Sequence, residues 1–513
     1  MDSEVFEHHL TSPQGRGHVP AGAVSVTAEG GACGDTVTFS LACDGERISD
    51  AGFTAQGCGA TTAAASAAVS LVTGAGLLDA ARFGTATIAA EVGGLSPGKL
   101  HAAEVVCDAL HRALGSAVSL SGDPPLPATS AGKCTPESAG GMVLPPAEPE
   151  LAAGPAQSRT LVAMSGGVDS AVAALLCARE GEVVAVTLEL WADPDNDAER
   201  SCCSASAVSQ ARALAHSLRL PHFTLDLRNQ FRAGVVEPFI AAYRAGETPN
   251  PCVGCNGHVR LDAMLDFADR LGCTALATGH YARVDRAASP TPLLRAAADS
   301  RKDQTYMLAA LSPESLARMR FPLGDHTKPQ VRAIAAAAGL PVATKLDSQD
   351  LCFLAGTDRG RFLMRHGGGA PRSGEIVDSS GAVLGTHPGH ELFTVGQRRG
   401  LGGSVAASPE PMYVLDKDAV SGRITVGPRE RLLTSRVRLR STRLHLDAER
   451  VNRVKLRYRS EPLSARVTGT HAAGRHRELL LELDTPVAGA APGQLACLMD
   501  GDLVVGWGTI ARA

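Results

Sequence analysis

The segment from Ser165 to Ser170, SGGVDS, has the composition of a loop that binds phosphate. It follows the apolar run RTLVAM and precedes the helical pattern AVAALLCARE. Gly166 and Gly167 let backbone N–H groups approach an anion closely, and the N-terminal end of the following helix is positive. Both serine hydroxyls add donors, and Asp169 could hold Mg²⁺ or orient the loop. The segment predicts a nucleotide site; the alternative is an ordinary glycine-rich turn between a strand and a helix.

Cysteines in two polar loops could carry sulfur. Cys255 lies in the proline-braced segment NPCVGCN, and Cys352 lies further along the chain in DSQDLCFL. Sulfur transfer needs one thiol to carry the sulfane sulfur and a second to attack the persulfide. Cys177 and Cys273 fall in helix-like and strand-like runs, where a small buried apolar side chain is the better interpretation. Cys255 and Cys352 are therefore predicted to be reactive.

Cationic side chains recur at nearly every second position in the segments RVRLRS and RVKLRYRS. Residues two apart lie on one face of a strand, so we expect a cationic surface that follows phosphates. Its members are Arg436, Arg438, Arg440, Arg443, Arg453, Lys455, Arg457 and Arg459, with Gln397, Arg398 and Arg399 from an earlier segment. The net charge of −4 says little about nucleic acid, but this local pattern favours RNA over a merely solvated sheet face.

The elements that must position these residues change in character along the chain. A strand-like run, TVTFSLAC, and two helical patterns precede residues 121–158, which are rich in Pro, Gly, Ala and Ser and typical of a linker. Short apolar runs then alternate with helical patterns, which predicts a parallel sheet with helices on both faces. Beyond about Arg361, glycine-rich turns separate short alternating segments, which predicts small β domains.

Length and composition bound the class of protein. A chain of 513 residues has room for about three or four domains. The 13 cysteines, without an export signal, favour thiols, metal ligands or catalysts over structural disulfides. No apolar run reaches the length of about 18 residues that a membrane span needs, and the N-terminus MDSEVFEHHL lacks a signal-peptide core. We expect a soluble, cytoplasmic protein with no membrane partner.

Six ordered motifs together resemble the MnmA family of tRNA 2-thiouridylases. They are SGGVDS, NPCVGCN, TGHYAR, KDQTYML, DSQDLCF and FTVGQRRGLG, between Arg159 and the C-terminus. The first also resembles the PP-loop of ATP pyrophosphatases, which activate an oxygen by adenylation and release pyrophosphate. The resemblance implies ATP-dependent thiolation of the wobble uridine (U34) of tRNA.

The resemblance also implies roles for individual residues. Cys255 is the nucleophile, Cys352 carries the persulfide, and we expect Asp169 to take part in catalysis. A Cys255–Cys352 disulfide would remain after each cycle until it is reduced. ATP contacts are implied for Ala163, Met164, Ser165, Gly166, Gly167, Val168, Asp169, Ser170, Leu188 and Gly279. tRNA contacts are implied for Asn250, Pro251, Cys252, His280, Lys302, Asp303, Gln304, Arg457, Tyr458 and Gln494.

Cys252 departs from the family pattern, because many members carry Asp at that position. With Cys255 and Cys352 it makes three thiols that could ligate a [4Fe–4S] cluster with one open iron. The persulfide and cluster routes both stay open. Cys202 and Cys203 are adjacent and receive no role.

The N-terminal region, roughly residues 25–117, resembles the IscU/NifU scaffold family. The motifs are ACGDTV, DAGFTAQGCGATTAAASAAVSLVTG and GKLHAAEVVCDAL. The resemblance implies that zinc or a nascent [2Fe–2S] cluster is bound by Cys33, Asp35, Cys58 and His101. Cys58, flanked by glycines at the head of a helix, should have a lowered pKa.

Ala102 stands where the scaffold family has its third cysteine, directly after His101. On a helix Cys107 lies about 140° around from Ala102, so it is a poor substitute. Glu104, three residues after His101, is better placed. The module therefore either binds a metal or is a degenerate scaffold that only docks a cysteine desulfurase or receives its sulfur.

These patterns predict one fold class for each region: an α+β scaffold domain, an α/β PP-loop ATPase domain with a parallel sheet, and small β domains including a β-barrel. The predicted bounds are 1–120 for the scaffold, 121–158 for a flexible linker, 159–360 for the PP-loop domain, 361–430 for a central β-rich domain and 431–513 for a tRNA-contacting barrel. Expected cofactors are ATP and Mg²⁺, with Zn²⁺ or an iron–sulfur cluster in addition. Expected partners are tRNA and a cysteine desulfurase or sulfur-relay protein.

Two other functions fit parts of the sequence. A different PP-loop ligase, such as a lysidine or argininosuccinate synthase, needs no persulfide and leaves Cys255 and Cys352 unexplained. An iron–sulfur carrier with an ATP-binding partner module would not release pyrophosphate in response to tRNA.

Overall fold

The computed structural model describes residues 2–30, 34–119, 158–191, 193, 204–347, 351–369, 371–402, 405 and 410–512. Most of the predicted linker, residues 121–157, lies outside these ranges, as do Cys33, Cys202 and Cys203. None of the described helices combines the length and the apolar character that a membrane span requires.

The N-terminal module (residues 2–119) is an antiparallel sheet covered by helices. The strands, which pair in chain order, are β1 (Val24–Gly30), β2 (Asp35–Asp44) and β3 (Arg47–Gln56). The helices are α1 (Ser3–Thr11), α2 (Gly59–Val72), α3 (Leu77–Ala80), α4 (Thr85–Glu91) and α5 (Leu100–Val118). Val37, Phe39 and Leu41 alternate along β2 and are buried, which gives the sheet an apolar face for α2 and α5.

Helix α2 is buried almost all round because its side chains are small. Its sequence is GATTAAASAAVSLV, and Ala63, Ala64, Ala67 and Ala68 have no exposed surface. A helix that is apolar on every side belongs inside a domain, and alanine is also the strongest helix former. The packing of α2 fixes the position of Cys58, which caps its N-terminus.

The region from residue 158 to 369, called the α/β domain below, is built on a parallel sheet, as predicted. Its strands are β4 (Thr160–Ala163), β5 (Val183–Glu189), β6 (His222–Asp226), β7 (Ala275–Ala277) and β10 (Met319–Arg320). The spatial order is β10-β7-β4-β5-β6, so β6 is an edge strand. Every residue of β5 is buried, as expected for a strand with helices on both faces.

The helices of the α/β domain are α6 (Val168–Ala178), α7 (Ala205–Ser217), α8 (Arg228–Phe231), α9 (Glu237–Arg244), α10 (Pro251–Gly254), α11 (Leu261–Arg270), α12 (Thr305–Leu308), α13 (Pro313–Arg318), α14 (Lys328–Ala337) and α15 (Arg359–His366). Two segments, Arg232–Val236 and Cys255–Arg260, are π-helical. Helix α7 joins β5 to β6, and α11 precedes β7 on the other side of β4. Because crossovers between parallel strands are right-handed, α7 and α11 lie on opposite faces of the sheet.

Two elements of the α/β domain are shorter than their sequence patterns predict. The helix expected from about His258 to Leu271 is α11, which begins at Leu261 because the preceding residues form the π-helical turn. The strand expected over ALATGHYA is reduced to β7, because Thr278 and the residues after it turn toward the segment of residues 165–170, called the phosphate loop below.

The remaining strands form two β units. A four-stranded sheet, ordered β12-β11-β14-β13, consists of β11 (Gly374–Val377), β12 (Val383–His387), β13 (Tyr413–Lys417) and β14 (Ile424–Gly427). The last six strands are β15 (Leu433–Leu444), β16 (Arg453–Lys455), β17 (Leu463–Val467), β18 (Gly474–Ala488), β19 (Leu495–Asp500) and β20 (Leu503–Ile510). Pairing of β15 with β20 closes them into a barrel, which confirms the predicted β-barrel.

Two smaller features complete the secondary structure of the described residues. A hairpin of β8 (Arg283–Asp285) and β9 (Leu293–Arg295) pairs with β20 and so ties the α/β domain to the barrel. Short 3-10 turns occur at Pro97–Lys99, His390–Leu392, Arg429–Leu432 and Ala448–Arg450.

The predicted alternation of cations holds for β15 but is wrong for β16. Val437 and Leu439 are buried and the arginines between them point outward. Ser441 has a positive φ of 50° and lies at a bulge that shifts the alternation of inward and outward side chains. Arg443 is therefore partly exposed, although it follows Arg440 by three residues. Strand β16 ends at Lys455, which is buried rather than outward-facing.

Candidate functional site

The phosphate loop connects β4 to α6, as its sequence predicts. Gly166 has a φ of +68°, in the left-handed region that suits glycine. The Ser170 hydroxyl oxygen accepts from the Ser165 N–H at 3.1 Å and donates to the Gly167 carbonyl at 3.1 Å. These bonds hold the loop in shape and leave the first N–H groups of α6 at the carboxyl edge of the sheet, where an anion can bind.

Asp169 is held by two donors from distant parts of the chain. Lys328 Nζ donates to both Asp169 carboxylate oxygens, at 2.7 and 2.8 Å. The Tyr281 hydroxyl donates to Oδ1 at 2.9 Å. Burial, together with the negative charge of Asp169, raises the pKa of Tyr281, so that hydroxyl stays protonated. This geometry supports the expectation that Asp169 orients the loop.

Three lysines surround the phosphate loop. Lys328 also bonds Asp347 at 2.8 Å, and Lys302 bonds the same carboxylate at 2.6 Å. Burial raises the pKa of Asp347, but hydrogen bonds from these two lysines outweigh it and the net shift is downward. Lys345 Nζ donates to the Gly166 carbonyl at 2.9 Å. Lys328 and Lys345 therefore contact the loop directly, and Lys302 is joined to them through Asp347. The two carboxylates offset part of the positive charge.

Gly279 packs directly against the phosphate loop. A Cβ atom at this position would lie 2.7 Å from the Ser170 nitrogen and 2.8 Å from the Asp169 carbonyl carbon, so no larger residue fits without displacement. Ala163 and Leu188 lie at the ends of the neighbouring strands β4 and β5. The implied ATP contacts are thus grouped at the carboxyl edge of the sheet, the usual ligand site of such folds.

Cys255 is buried at the start of the π-helical turn that follows α10. The Asn250 side chain caps α10 by accepting from the Cys252 N–H at 3.1 Å, and Pro251 occupies the first helical position. Asn256 Nδ2 donates to the Met307 carbonyl at 3.1 Å. The predicted proline-braced loop is therefore a short capped helix, and π-helical turns are frequent at functional sites.

Cys352 is partly buried beside an aromatic cluster. The next residue, Phe353, contacts Phe231 and Phe239 with ring centroids 5.8 and 5.2 Å apart. Phe231 ends α8, and α8 packs against the π-helical turn that begins at Cys255. The predicted nucleophile and the predicted persulfide carrier therefore lie on segments that are joined through α8.

Several of the implied tRNA contacts are engaged within the protein. Asp303 is buried and accepts from Thr305 Oγ1 at 2.7 Å and from Lys455 Nζ at 3.2 Å. Gln304 Oε1 accepts from the Tyr281 N–H at 2.9 Å, and Gln494 Nε2 donates to the Thr248 carbonyl at 2.7 Å. Asp303 and Gln494 thereby join the α/β domain to the barrel.

His280 and the pair Arg457 and Tyr458 lie nearer the surface than Asp303. His280 Nδ1 is 2.8 Å from Thr278 Oγ1, and burial lowers its pKa to about 3, which keeps the imidazole neutral. The Arg457 guanidinium donates to the Ala488 carbonyl at 3.2 Å.

The outward face of β15 is only partly neutralised. Arg440 donates to both oxygens of Glu247, at 2.7 and 2.8 Å, and Arg436 lies 3.3 Å from Glu482. Arg438 donates to a backbone carbonyl, that of Arg512. Lys455, by contrast, is buried against Asp303 and takes no part in this face.

Asp35, Cys58 and His101 come together in the N-terminal module. In the described part of the chain, this is the one group of three or more His, Cys, Asp or Glu side chains whose ligand atoms all lie within 4.8 Å of one another. Asp35 is fully buried and accepts from Thr61 Oγ1 at 2.6 Å and from the Cys58 N–H at 3.2 Å. Burial raises the pKa of Cys58, but hydrogen bonds from the Thr61 hydroxyl and from backbone N–H groups outweigh it, so the net shift is downward.

The neighbouring residues agree with the helical-wheel argument. Ala102 is buried, and Cys107 faces away from Asp35 toward the Phe83 carbonyl, 3.8 Å from its sulfur. Glu104 is exposed and does not join the group, so it does not replace the missing cysteine. Cys33 lies outside the described residues.

Sequence inspection missed Lys328, Lys345, Tyr281 and Thr61. Tyr281 lies within the quoted motif TGHYAR, and Thr61 lies one helical turn after Cys58, so both could have been suspected. Lys328 and Lys345 lie outside every quoted motif, and only the folded chain brings them to the loop.

Four family models match the chain in succession. They are the NifU-like N terminal domain over residues 1–117, the tRNA methyl transferase HUP domain over 158–356, the tRNA methyl transferase PRC-barrel domain over 360–428 and the aminomethyltransferase beta-barrel domain over 429–510. A bifunctional protein NifU/MnmA from Rubrobacter xylanophilus is 43% identical over 98% of this chain and 97% of its own length. The chain belongs to the NifU/MnmA family. Both predicted resemblances are thereby confirmed.

The thiouridylase part of the NifU/MnmA chain also matches proteins without the N-terminal module. The tRNA-specific 2-thiouridylase MnmA of Acidithiobacillus ferrooxidans is 43% identical over 69% of this chain and 99% of its own length. The corresponding protein of Frankia casuarinae is 44% identical over 69% of this chain and 98% of its own length. These matches cover nearly the whole length of each relative but only about two thirds of this chain.

Replacing Lys328 with Met should slow tRNA-dependent pyrophosphate release by about 100-fold, because a cation on a transferring phosphoryl group contributes about 3 kcal/mol. The measurement is steady-state pyrophosphate release with ATP and unmodified tRNA. The control is Arg423→Met, which removes a cation from an exposed ion pair in the β11–β14 sheet. A Lys328→Met rate within twofold of the wild type would remove Lys328 from the site.

Replacing Gly279 with Ala should weaken ATP binding at least tenfold, because the added Cβ displaces the phosphate loop at a cost of about 1–3 kcal/mol. The KM for ATP and the thermal midpoint with and without ATP would be measured. Gly385→Ala is the matched control, since a Cβ there meets no atom within 4 Å. Equal KM values for the two variants would contradict the proposed close fit.

Proposed function

We propose that this chain is an ATP-dependent tRNA 2-thiouridylase that works in the cytoplasm and transfers sulfur to C2 of the wobble uridine. The single observation that carries the proposal is that α8, which packs on the turn beginning at Cys255, contacts Phe353 beside Cys352 through Phe231, in the same domain as the phosphate loop. ATP would bind at the carboxyl edge of the parallel sheet, with its phosphates on the N-terminal N–H groups of α6.

The chemistry requires four balanced steps. The uridine O2 attacks the α-phosphorus of ATP, and pyrophosphate leaves. The terminal sulfur of a Cys352 persulfide, which Cys352 receives by attack of its thiolate on the persulfide of a cysteine desulfurase, attacks C2, and the O2–adenylate becomes the leaving group. The Cys255 thiolate attacks the Cys352 sulfur, the S–S bond of the persulfide breaks, and AMP departs. The resulting Cys255–Cys352 disulfide is returned to two thiols by an external dithiol.

The protein supplies electrostatics and positioning to this reaction. Lys328, Lys345 and the first N–H groups of α6 would offset the negative charge of the leaving pyrophosphate. The neutral imidazole of His280 would accept or donate a hydrogen bond, and it would carry no positive charge to attract the phosphates. The base must leave its stack to reach the site, which costs a few kcal/mol.

Mg²⁺ is proposed to enter with ATP, since this ion is usually held by one or two carboxylates together with substrate phosphates. Asp169 is the carboxylate nearest the loop, but its two oxygens are engaged by Lys328 and Tyr281. The residues present therefore fit an ion held mainly by phosphate, with Asp169 positioning Lys328. A [4Fe–4S] cluster on Cys252, Cys255 and Cys352 is the alternative to the persulfide route.

For the N-terminal module we propose that Asp35, Cys58 and His101 hold zinc or a nascent cluster, or that Cys58 receives sulfur from a cysteine desulfurase. The donor set of one carboxylate, one thiolate and one imidazole suits zinc. Asp35 has hydrogen bonds from Thr61 and the Cys58 N–H, as metal-binding carboxylates commonly do. Cys33 would be the fourth ligand.

Sulfur transfer from labelled cysteine to unmodified tRNA tests the main proposal. With ATP, Mg²⁺, a cysteine desulfurase and a dithiol, the wild type should form 2-thiouridine, whereas Cys352→Ala and Cys255→Ser should form at least 100-fold less. This loss is expected because a missing member of a covalent relay is not replaced by water.

The matched control is Cys43→Ser, which removes an exposed thiol of the N-terminal module and should leave the rate unchanged. No 2-thiouridine from the wild type, even after anaerobic cluster reconstitution, would contradict the proposed activity. Adenylated or lysine-modified product without sulfur would indicate a different PP-loop ligase.

Metal content distinguishes the two roles of the N-terminal module. If the module binds zinc, protein reconstituted with zinc should hold one tightly bound ion per chain, and Cys58→Ser and His101→Ala should lose it while Cys43→Ser keeps it. The readout is zinc released per chain by elemental analysis, independent of thiolation. Equal zinc in all four proteins would exclude a metal site at Cys58 and leave the sulfur-acceptor role.

A further inference from the structure

The N-terminal module packs on the edge of the parallel sheet through α5. Strand β6 is at the sheet edge, yet four of its five residues are buried. An open strand edge exposes unpaired N–H and C=O groups and invites aggregation, so natural proteins cover it. In this chain the cover comes from the N-terminal module and not from the α/β domain.

At Gly115 the backbone of α5 approaches β6 closely. A Cβ at this position would lie 1.9 Å from the Thr224 carbonyl oxygen, so the helix backbone rests directly on the strand. Val118 accepts at its carbonyl from Arg270, at the end of α11, at 3.2 Å. Asp108 pairs with Arg212 of α7 at 2.8 Å. Since α7 and α11 cover opposite faces of the sheet, α5 must cross the edge of the sheet from one face to the other.

A buried ion network spans the same contact. Asp108 bonds Arg112 within α5 at 2.9 Å as well as Arg212, and Arg112 bonds Glu189, the last residue of β5, at 2.7 Å. Burial raises the pKa of Asp108, but the two guanidinium groups outweigh it, so the net shift is downward. A buried charge is strongly destabilising once its partner is removed. The pairs therefore specify one position of α5 on the sheet, because another register would leave Arg212 or Glu189 buried without its partner.

Backbone groups and imidazoles close the rest of the edge. The His222 N–H, the first of β6, donates to the Ala81 carbonyl of the module at 2.9 Å. His111 Nδ1 and Nε2 lie 2.7 Å from the His222 carbonyl and 2.9 Å from the Phe83 carbonyl. Arg82 donates to the Arg219 carbonyl at 2.5 Å. These contacts are specific in position and would not form in a loosely tethered pair of domains.

We propose that the N-terminal module has a second role, as a permanently docked structural subunit that closes the β6 edge of the α/β domain. It stays bound without the covalent connection through residues 120–157, so the Asp35, Cys58 and His101 group is held in one orientation and does not swing on a tether. The proposal does not depend on the chemistry assigned to that group or to Cys352.

Cleavage of the connection in the full-length protein tests this. A single protease site inserted between residues 130 and 150 is cut after folding, and the two fragments are followed by analytical ultracentrifugation over a dilution series. We expect the fragments to sediment together as one species with the mass of the uncut chain. Fragments that separate completely at micromolar concentration would overturn the proposal.

Gly115→Ala in the cut protein should weaken the association at least about tenfold, since the added methyl meets the Thr224 carbonyl. Ala is also the better helix former, so the substitution does not weaken α5 itself. Gly98→Ala is the matched control, because a Cβ there meets no atom within 4 Å. Equal association in the two variants would overturn the assignment of the α5–β6 contact, and the circular dichroism of the uncut Gly115→Ala chain verifies that α5 is intact.

Discussion

The central site depends on the ion pair between Lys328 and Asp169. It joins the first turn of α14 to the first turn of α6, so two distant parts of the chain are fixed beside one phosphate loop. Removing Lys328 would leave the Asp169 carboxylate without its bidentate partner and free the loop from α14. The Tyr281 hydroxyl shares the same carboxylate. The packing of α6, α14 and the segment after β7 therefore determines both the shape of the loop and the position of the cations beside it.

The phosphate loop and the parallel sheet could be predicted because their causes are local. The glycines, the serines and the flanking apolar runs stand next to one another in the sequence, and alternating strands and helices have few ways to pack. Lys328 and Lys345 could not be found in this way, since their contacts with Asp169 and Gly166 exist only after α14 has docked. The same limit applies to the neighbourhood of Cys255, where a capped helix and a π-helical turn replace the expected loop.

Strands β15 and β16 show where period-two alternation predicts the exposure of cationic side chains correctly and where it does not. Alternation correctly predicts the outward arginines of β15 up to the bulge at Ser441, because a strand of the barrel wall has one wet face. It fails at Lys455, whose partner Asp303 comes from a different domain. In α5 the helical angle correctly placed Cys107 on a different side from Ala102, but no pattern in the sequence distinguishes the side of the helix that packs on β6.

Helix α5 carries His101 in its first turn and Gly115 in its last, about 21 Å apart at 1.5 Å per residue. Helix α5 therefore carries one member of the Asp35, Cys58 and His101 group near its first residue and the contact with β6 near its last. An ion or sulfur species that binds His101 and Cys58 more tightly when α5 is docked on β6 must, by reciprocity, strengthen the docking of α5 by the same free energy. Ligand binding by the N-terminal module and association of the module with the α/β domain are then thermodynamically coupled.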